Sequence, residues 1–334
     1  MQDANTAQGR HVLLLGATGT IGRATLAALC AAGHRVTCCL RRPAASDDAL
    51  FQAPGVETVL ADVTDAAQMQ AQAQAQVFED GQFDAVISCL ASRSGAPADA
   101  WAVDHGANKI VLDMARAAGV AQFVLLSAIC VQRPELEFQK AKLAFEAEVQ
   151  ASGLTWSIVR PTAFFKSLSG QLRRLRTGKP FLVFGDGRLT ACKPISDRDL
   201  ARYIVGCLSD PDRQNRILPI GGPGPALTPI EQGEALFQAL GQAPRFKHVP
   251  VRMMDMIVGG LSLAGRISAR AHDKAELARI GRYYATQSML VLDPVTGAYD
   301  ADMTPEFGTD RLEDFYADLV AGRTSVDLGA HADF

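Results

Sequence analysis

A chain of 334 residues is long enough for one large α/β domain or for a nucleotide-binding domain with a smaller lobe. Its 33 Lys and Arg against 36 Asp and Glu leave a net charge of −3, without the basic field that tracks a phosphate backbone, so nucleic acid is not an expected partner. The seven cysteines are odd in number, scattered, and free of C-x-x-C pairs or His-rich ligand spacing, which speaks for a reduced, cytoplasmic protein with no structural metal.

The N-terminal MQDANTAQGR lacks the apolar core of a signal peptide. Short apolar runs then alternate with helical patterns: HVLLLG, TLAALCAAG, HRVTCCL, VETVLAD, an Ala/Gln-rich helix candidate over 65–79, FDAVISCL, a helix candidate over 99–118, and QFVLLSA. That alternation predicts βαβ units, and so an α/β fold with a doubly wound, parallel Rossmann sheet. LTWSIVRP adds a strand closed by Pro161. Beyond it the pattern loosens into Gly- and Pro-rich pieces separated by shorter helices, among them EQGEALFQALG and RLEDFYADLVAG. The expected division is a nucleotide-binding domain over 10–160 and a mainly substrate-binding lobe over 161–322, some of whose segments return to the first domain.

VLLLGATGTIGRATLAAL places a buried strand before Gly16, Gly19 and Gly22 and an apolar helix after them. This is the context that a dinucleotide fingerprint requires, as against a plain tight turn: the glycines allow close backbone approach, and pyrophosphate sits on the free N–H groups of the helix N-terminus. Thr18, Thr20 and Ile21 complete that turn. The second strand ends in Arg41 and Arg42, with no acid to hold a ribose diol. Guanidinium groups bind a 2′-phosphate that a carboxylate would repel, so NADPH is the expected cofactor unless the pair is only solvated surface. Asp62, followed by Val63, is placed to accept a bond from the adenine amino group or to cap a helix, and Thr64 shares the capping option. Ser88, Cys89 and Leu90 close the fourth strand and are expected beside the ribose and nicotinamide, with Cys89 read as packing rather than as a nucleophile.

LSAICVQRPELEFQKAKLAFE, residues 125–145, carries a reduced catalytic set. Many short-chain reductases have Tyr-x-x-x-Lys here with a serine upstream. This chain has Ser127, Phe138 and Lys142, so the lysine is kept, one helical turn after a phenylalanine. Lys142 is expected to orient the nicotinamide ribose, and Ser127 to polarise a substrate group or to cap a strand end. Reducing a carbonyl needs a donor at the developing alkoxide. Reducing a carbon–carbon double bond conjugated to a large π-system spreads the charge instead, and a tyrosine is then dispensable.

The runs SAICVQRPELEFQKAKLAFEAE, SIVRPTAFFKSLSGQ, GKPFLVFGDG, ACKPISDRDLA, LPIGGPGPALTPIEQGE and IGRYYATQSMLVLDP closely resemble the NADPH-using divinyl chlorophyllide or protochlorophyllide 8-vinyl reductases, atypical NmrA-like members of the short-chain reductase class. The resemblance runs from about Arg10 to about Ala321. It matches the family's glycines to Gly16, Gly19 and Gly22, its basic residues to Arg41 and Arg42, and the lysine of its degenerate site to Lys142. It implies conversion of the 8-vinyl group of a magnesium tetrapyrrole to ethyl, in (bacterio)chlorophyll synthesis; the expected difference from plant members is the missing chloroplast transit peptide, which is consistent with a bacterial protein.

A flat, largely apolar substrate with a carboxylate calls for aromatics and a cation. Phe138, Phe164 and Phe165 are candidates for the nicotinamide side, with Pro161 and Phe164 near the cofactor, and Lys166 or Arg282 for the carboxylate; core packing competes for each phenylalanine. Tyr283, Tyr284 and Cys192 are candidate proton donors, with packing as the stronger competing reading. The stretch VRMMDMIVGGLSLAGRISAR, apolar between basic ends, reads as a lid over the pigment, a membrane-resting surface or an ordinary packed helix. Its apolar core is well short of the roughly 20 residues that span a bilayer. The rivals in function are a non-enzymatic NADP(H) sensor, for which NmrA-like proteins give the precedent, and a reductase of another conjugated alkene.

Overall fold

The computed structural model describes residues 9–69, 83–93, 95–265 and 268–326. The apolar run at its start forms β1 (His11–Leu15), buried throughout, and the glycine turn opens α1 (Thr20–Ala31). β2 (Arg35–Leu40) and β3 (Val56–Leu60) follow, then a short α2 (Ala66–Gln68) capped by Asp65, whose Oδ1 accepts from the Ala67 and Gln68 N–H groups at 3.0 Å. Most of the helix expected over 65–79 lies outside the described residues.

After β4 (Ala85–Ser88), the helix expected over 99–118 is interrupted: α3 (Pro97–Ala100) runs into a π-helical turn, Trp101–Ala107, before α4 (Asn108–Ala117). The wider turn buries Asp104 and Ala107, and such turns recur at functional sites. β5 (Gln122–Leu126), a 3₁₀ turn over Ile129–Gln132, α5 (Glu137–Gln150) and β6 (Thr155–Pro161) complete the first half. The second half holds α6 (Phe165–Leu168), α7 (Leu172–Arg176), β7 (Phe181–Phe184), α8 (Asp197–Gly206), β8 (Arg216–Ile220), α9 (Pro229–Ala239), β9 (Phe246–Val249), α10 (Val251–Gly265), α11 (Ala269–Thr286), β10 (Val291–Leu292), β11 (Tyr299–Asp300) and α12 (Leu312–Val320).

Seven strands form one parallel sheet in the order β3-β2-β1-β4-β5-β6-β8. The order reverses between β1 and β4, and the crevice outside their carboxyl ends is where such sheets bind ligands. Two apolar layers sandwich it: Leu26, Leu29, Leu200 and Ile204 of α1 and α8 on one face, Val111, Leu112, Phe145 and Val149 of α4 and α5 on the other. The expected lobe boundary falls at the end of β6, yet α8 and β8 lie in the sheet layers, with Ile220 paired to Pro161. A third core joins Phe165, Leu175, Phe181, Phe237 and Tyr316 beyond the sheet.

α10 and α11 form a helical hairpin. α10 packs along α11 with half-buried residues such as Met254, Val258 and Leu261, and none of its residues is fully buried. Among the described residues no helix is long and apolar enough to cross a membrane.

Candidate functional site

The glycine turn is built for close approach. Gly16 has φ +73°, and a Cβ there would lie 2.7 Å from the Cys89 carbonyl oxygen at the end of β4. A Cβ on Gly22 would run into the Gly16 carbonyl, so α1 packs on the turn only without a side chain at that position. Gly19 is the N-cap of α1 and supplies no side-chain cap, and the first turn holds no acid. The first N–H groups of the helix are thus left for an anion. Thr18 is exposed, Ile21 is buried in the core, and the Thr20 hydroxyl accepts a bond from Lys166 Nζ at 2.9 Å. An uncapped helix end and a cradle that any Cβ would fill both fit a dinucleotide pyrophosphate.

Arg41 and Arg42 follow β2 and are exposed; among the described residues neither has an ion-pair partner. Asp62 Oδ1 accepts from the Thr64 N–H at 3.0 Å and hydroxyl at 2.6 Å, which holds its carboxyl below the usual range. It braces a turn beside Val63, and the helix cap there is Asp65. At the end of β4, Ser88 is fully buried and donates to Asn108 Oδ1 at 2.5 Å, while Leu90 N–H reaches back to its hydroxyl at 3.4 Å. Burial pushes the Cys89 thiol up to about 12, so it is no thiolate at neutral pH.

On α5, Phe138, Lys142 and Glu146 recur every fourth residue and so share a face. Lys142 Nζ stands 2.8 Å from Asp104 Oδ1, the acid that the π-helical turn carries inward. Asp104 Oδ2 takes a long bond, 3.4 Å, from the Ser92 N–H beyond β4. Ser127 is buried and donates to Glu146 Oε1 at 2.5 Å, and Glu146 in turn is held by Arg160 of β6, whose Nε lies 3.1 Å from the same oxygen. The Ser127 proton is therefore engaged by a buried carboxylate. Phe138, where the short-chain pattern has its tyrosine, is buried with Ala100, Cys130, Leu136, Ala141 and Tyr283.

α11 closes this side. Tyr283 is buried and donates to the Cys130 carbonyl at 2.8 Å, and Tyr284 places its hydroxyl 3.7 Å from Cys130 Sγ. Burial raises the Tyr283 phenol above its ordinary value, and desolvation of the hydroxyl beside Cys130 does the same for Tyr284, although that residue is 37% exposed. Arg282 instead joins the hairpin, donating from Nε to Asp255 Oδ1 on α10 at 2.5 Å. At the end of β6, Pro161 is buried and Phe164 is half-buried beside the sheet core. Phe165 packs in the third core, its ring 5.4 Å from that of Phe315. Lys166 stands at the glycine turn rather than among the aromatics. Cys192 is buried away from these groups against Gln232, whose Nε2 lies 3.4 Å from Sγ, and burial pushes its thiol up to about 12.

The structure thus gathers Lys142, Ser127 and Phe138 at the carboxyl ends of β4, β5 and β6, and adds Asp104, Asn108, Glu146 and Arg160, which the sequence reading missed. Glu146 had a signal, four residues beyond Lys142 on the same face. Asp104 had none, because nothing local links it to α5.

Comparison with known proteins fits this geometry. The model of an NAD(P)H-binding family matches residues 16–211. Among solved structures, the fold is similar to leucoanthocyanidin reductase of Vitis vinifera in its ternary complex, with a TM-score of 0.65 and 16% identity over 93% of this chain and 99% of that one. It is similar to the same degree to AtPrR2 with NADP+ and (+)pinoresinol, also with a TM-score of 0.65 and 16% identity. In sequence, the chain is 47% identical to a chloroplastic divinyl chlorophyllide a 8-vinyl-reductase of Oryza sativa subsp. indica, over 97% of this chain and 82% of the relative. It is 45% identical to the protein of the same description from Arabidopsis thaliana, over 96% and 79%. Sharing nearly half its residues with these proteins across almost its whole length, and carrying an NAD(P)H-binding sheet, the chain belongs to the divinyl chlorophyllide a 8-vinyl-reductase family.

Proposed function

We propose that the protein reduces the 8-vinyl group of divinyl chlorophyllide or protochlorophyllide to ethyl with NADPH, in (bacterio)chlorophyll synthesis. The observation that carries this reading is membership of the reductase family over nearly the full chain, in a site that keeps Lys142 and has Phe138 in place of a phenol. Saturating the vinyl group takes one hydride and one proton. NADPH, when bound, would supply the hydride, and water would supply the proton that then reaches carbon. The negative charge left on the substrate spreads through the macrocycle, so no fixed donor is needed where a carbonyl reductase would stabilise an alkoxide.

The protein's part is binding and orientation. In this reading the N-terminus of α1 holds the pyrophosphate and Arg41 and Arg42 hold the 2′-phosphate. Lys142, steadied by Asp104, positions the nicotinamide ribose. Buried Phe138 and Tyr283 form a wall behind the pigment, and Ser127 acts through Glu146 and Arg160 to fix the end of β5 against β6. The nucleotide-binding unit is residues 10–160 together with the returning α8 and β8, and the remainder of 161–322 serves the pigment.

The same reading puts the protein in a bacterial cytoplasm with a peripheral membrane contact through α10. Met256 and Leu263 are 70% and 64% exposed there, and the exposed Arg252, one turn before Met256, with the exposed Lys247 on the preceding β9, suits an anionic bilayer surface.

The test is an anaerobic incubation of the purified protein with NADPH and divinyl chlorophyllide, followed by absorbance and chromatography of the pigment. Loss of the divinyl species matched by NADPH oxidation is expected. Tight NADPH binding with no change in any conjugated alkene offered would sink the reading in favour of an NADP(H) sensor.

A further inference from the structure

Lys166 lies on the short α6 just after β6, and its Nζ bonds the hydroxyl of Thr20, the first residue of α1, at 2.9 Å. It therefore brings a positive charge to the helix end that already has free N–H groups, no side-chain cap and no acid in its first turn. A second observation concerns Asp197, the first residue of α8: its Oδ1 is buried and takes no hydrogen bond from the described residues. The Phe165 N–H donates to the Ile195 carbonyl at 3.3 Å, which sets the start of α6 beside the turn into α8, and burial raises the Asp197 carboxyl against the opposing charge of Lys166. No direct salt bridge joins them among the described residues. Lys166 thus bonds a hydroxyl at the start of α1 from a segment that runs beside a poorly satisfied carboxyl group.

We infer that Lys166 is a cofactor-binding residue, which moves its ammonium from Thr20 onto the pyrophosphate when NADPH binds, with Asp197 as the counter-charge that limits the affinity. The inference rests on α1 being the dinucleotide site, and it takes Lys166 away from the pigment carboxylate. Three charges decide the sign. The ammonium attracts the phosphates, the carboxylate repels them, and the repulsion acts through a partly buried region where screening is weak.

The experiment titrates NADPH and NADH separately into the intact protein, following nicotinamide fluorescence, for the wild type and for Lys166→Gln, Lys166→Arg and Asp197→Asn. Both cofactors carry the pyrophosphate and only NADPH carries the 2′-phosphate. Lys166→Gln is therefore expected to raise both Kd values by the same factor, roughly tenfold or more for loss of a charge-assisted bond. Lys166→Arg is expected to keep most of the affinity, and Asp197→Asn to tighten both cofactors.

The inference is overturned if Lys166→Gln leaves both Kd values unchanged and raises only the pigment KM, or if it weakens NADPH alone, which would assign Lys166 to the 2′-phosphate. Should Lys166→Gln fail to fold, as its thermal transition would reveal, Asp197→Asn decides: tighter binding supports the inference, and unchanged or weaker binding ends it. A wild type that bound both cofactors and reduced no pigment would remove the activity proposed above while leaving these binding measurements to give their own answer.

Discussion

Lys142 Nζ and Asp104 Oδ1 stand 2.8 Å apart, with the lysine side chain 12% exposed and the aspartate 1%. One comes from α5 and the other from the π-helical turn before α4, so this ion pair ties together the two elements that flank the end of β4. A buried pair of this kind adds little net stability as a whole, but removing one partner strands the other.

Asp104→Ala is therefore expected to destabilise the protein by about 3 kcal/mol, read as a lower urea midpoint at unchanged slope. It should also weaken NADPH binding, because Lys142 loses the group that holds its ammonium in place. Lys142→Ala should lower both NADPH affinity and turnover. Unchanged affinity and turnover in Lys142→Ala would show that this lysine has no part in holding the cofactor.

Arg41 and Arg42 are exposed and have no ion-pair partner among the described residues, so their guanidinium groups are available to a ligand. Replacing either by Ala should cost NADPH roughly tenfold in Kd while NADH is little affected, the size expected for one hydrogen bond to a charged group. Titration of both cofactors checks this. Equal losses for NADPH and NADH would mean that the arginines act on something other than the 2′-phosphate.

Acid should weaken the fold through two histidines. His11 is buried at the start of β1; its Nδ1 accepts from the Arg35 guanidinium at 2.6 Å and its Nε2 lies 2.9 Å from the Thr37 hydroxyl. Burial first, and then the charge of Arg35, lowers its pKa; burial, followed by Arg10, does the same for His34. Below the unfolded imidazole value of about 6.5 the unfolded chain takes up protons that the folded protein refuses. This contribution to stability is thus full above that pH and is lost as the pH falls toward the lowered folded values. Melting temperature should drop between pH 7 and pH 5, and His11→Gln should flatten the drop. An identical pH dependence in the variant would exclude His11 as a cause.

The double substitution Met256→Glu and Leu263→Glu on α10 should abolish co-sedimentation with anionic lipid vesicles. No residue of α10 is buried, so the melting temperature should stay close to that of the wild type. Equal sedimentation of both proteins, or none by the wild type, would rule out α10 as a membrane contact.

What local chemistry encodes was readable along the chain. The alternation of apolar runs and helices requires parallel strands, and all seven strands of the sheet are indeed parallel. Gly16 and Gly22 were legible because only a residue without Cβ permits that turn, and the Phe138 to Lys142 spacing because a helix puts every fourth residue on one face. The interruption of the helix over 99–118 was not legible, since π-helical turns have no composition of their own and are stabilised by what they pack against.

The sequence by itself determined the fold class, the glycine turn, the basic end of β2 and the absence of the usual tyrosine, because each depends on residues close together in the chain. Only the tertiary structure decided that Asp104 is the partner of Lys142, that Ser127 donates a hydrogen bond to Glu146, that Lys166 meets Thr20 and that α10 stands exposed. Those pairings join residues from different strands and helices, and a charged or polar side chain carries no local mark of the partner it will find when the sheet brings distant segments together.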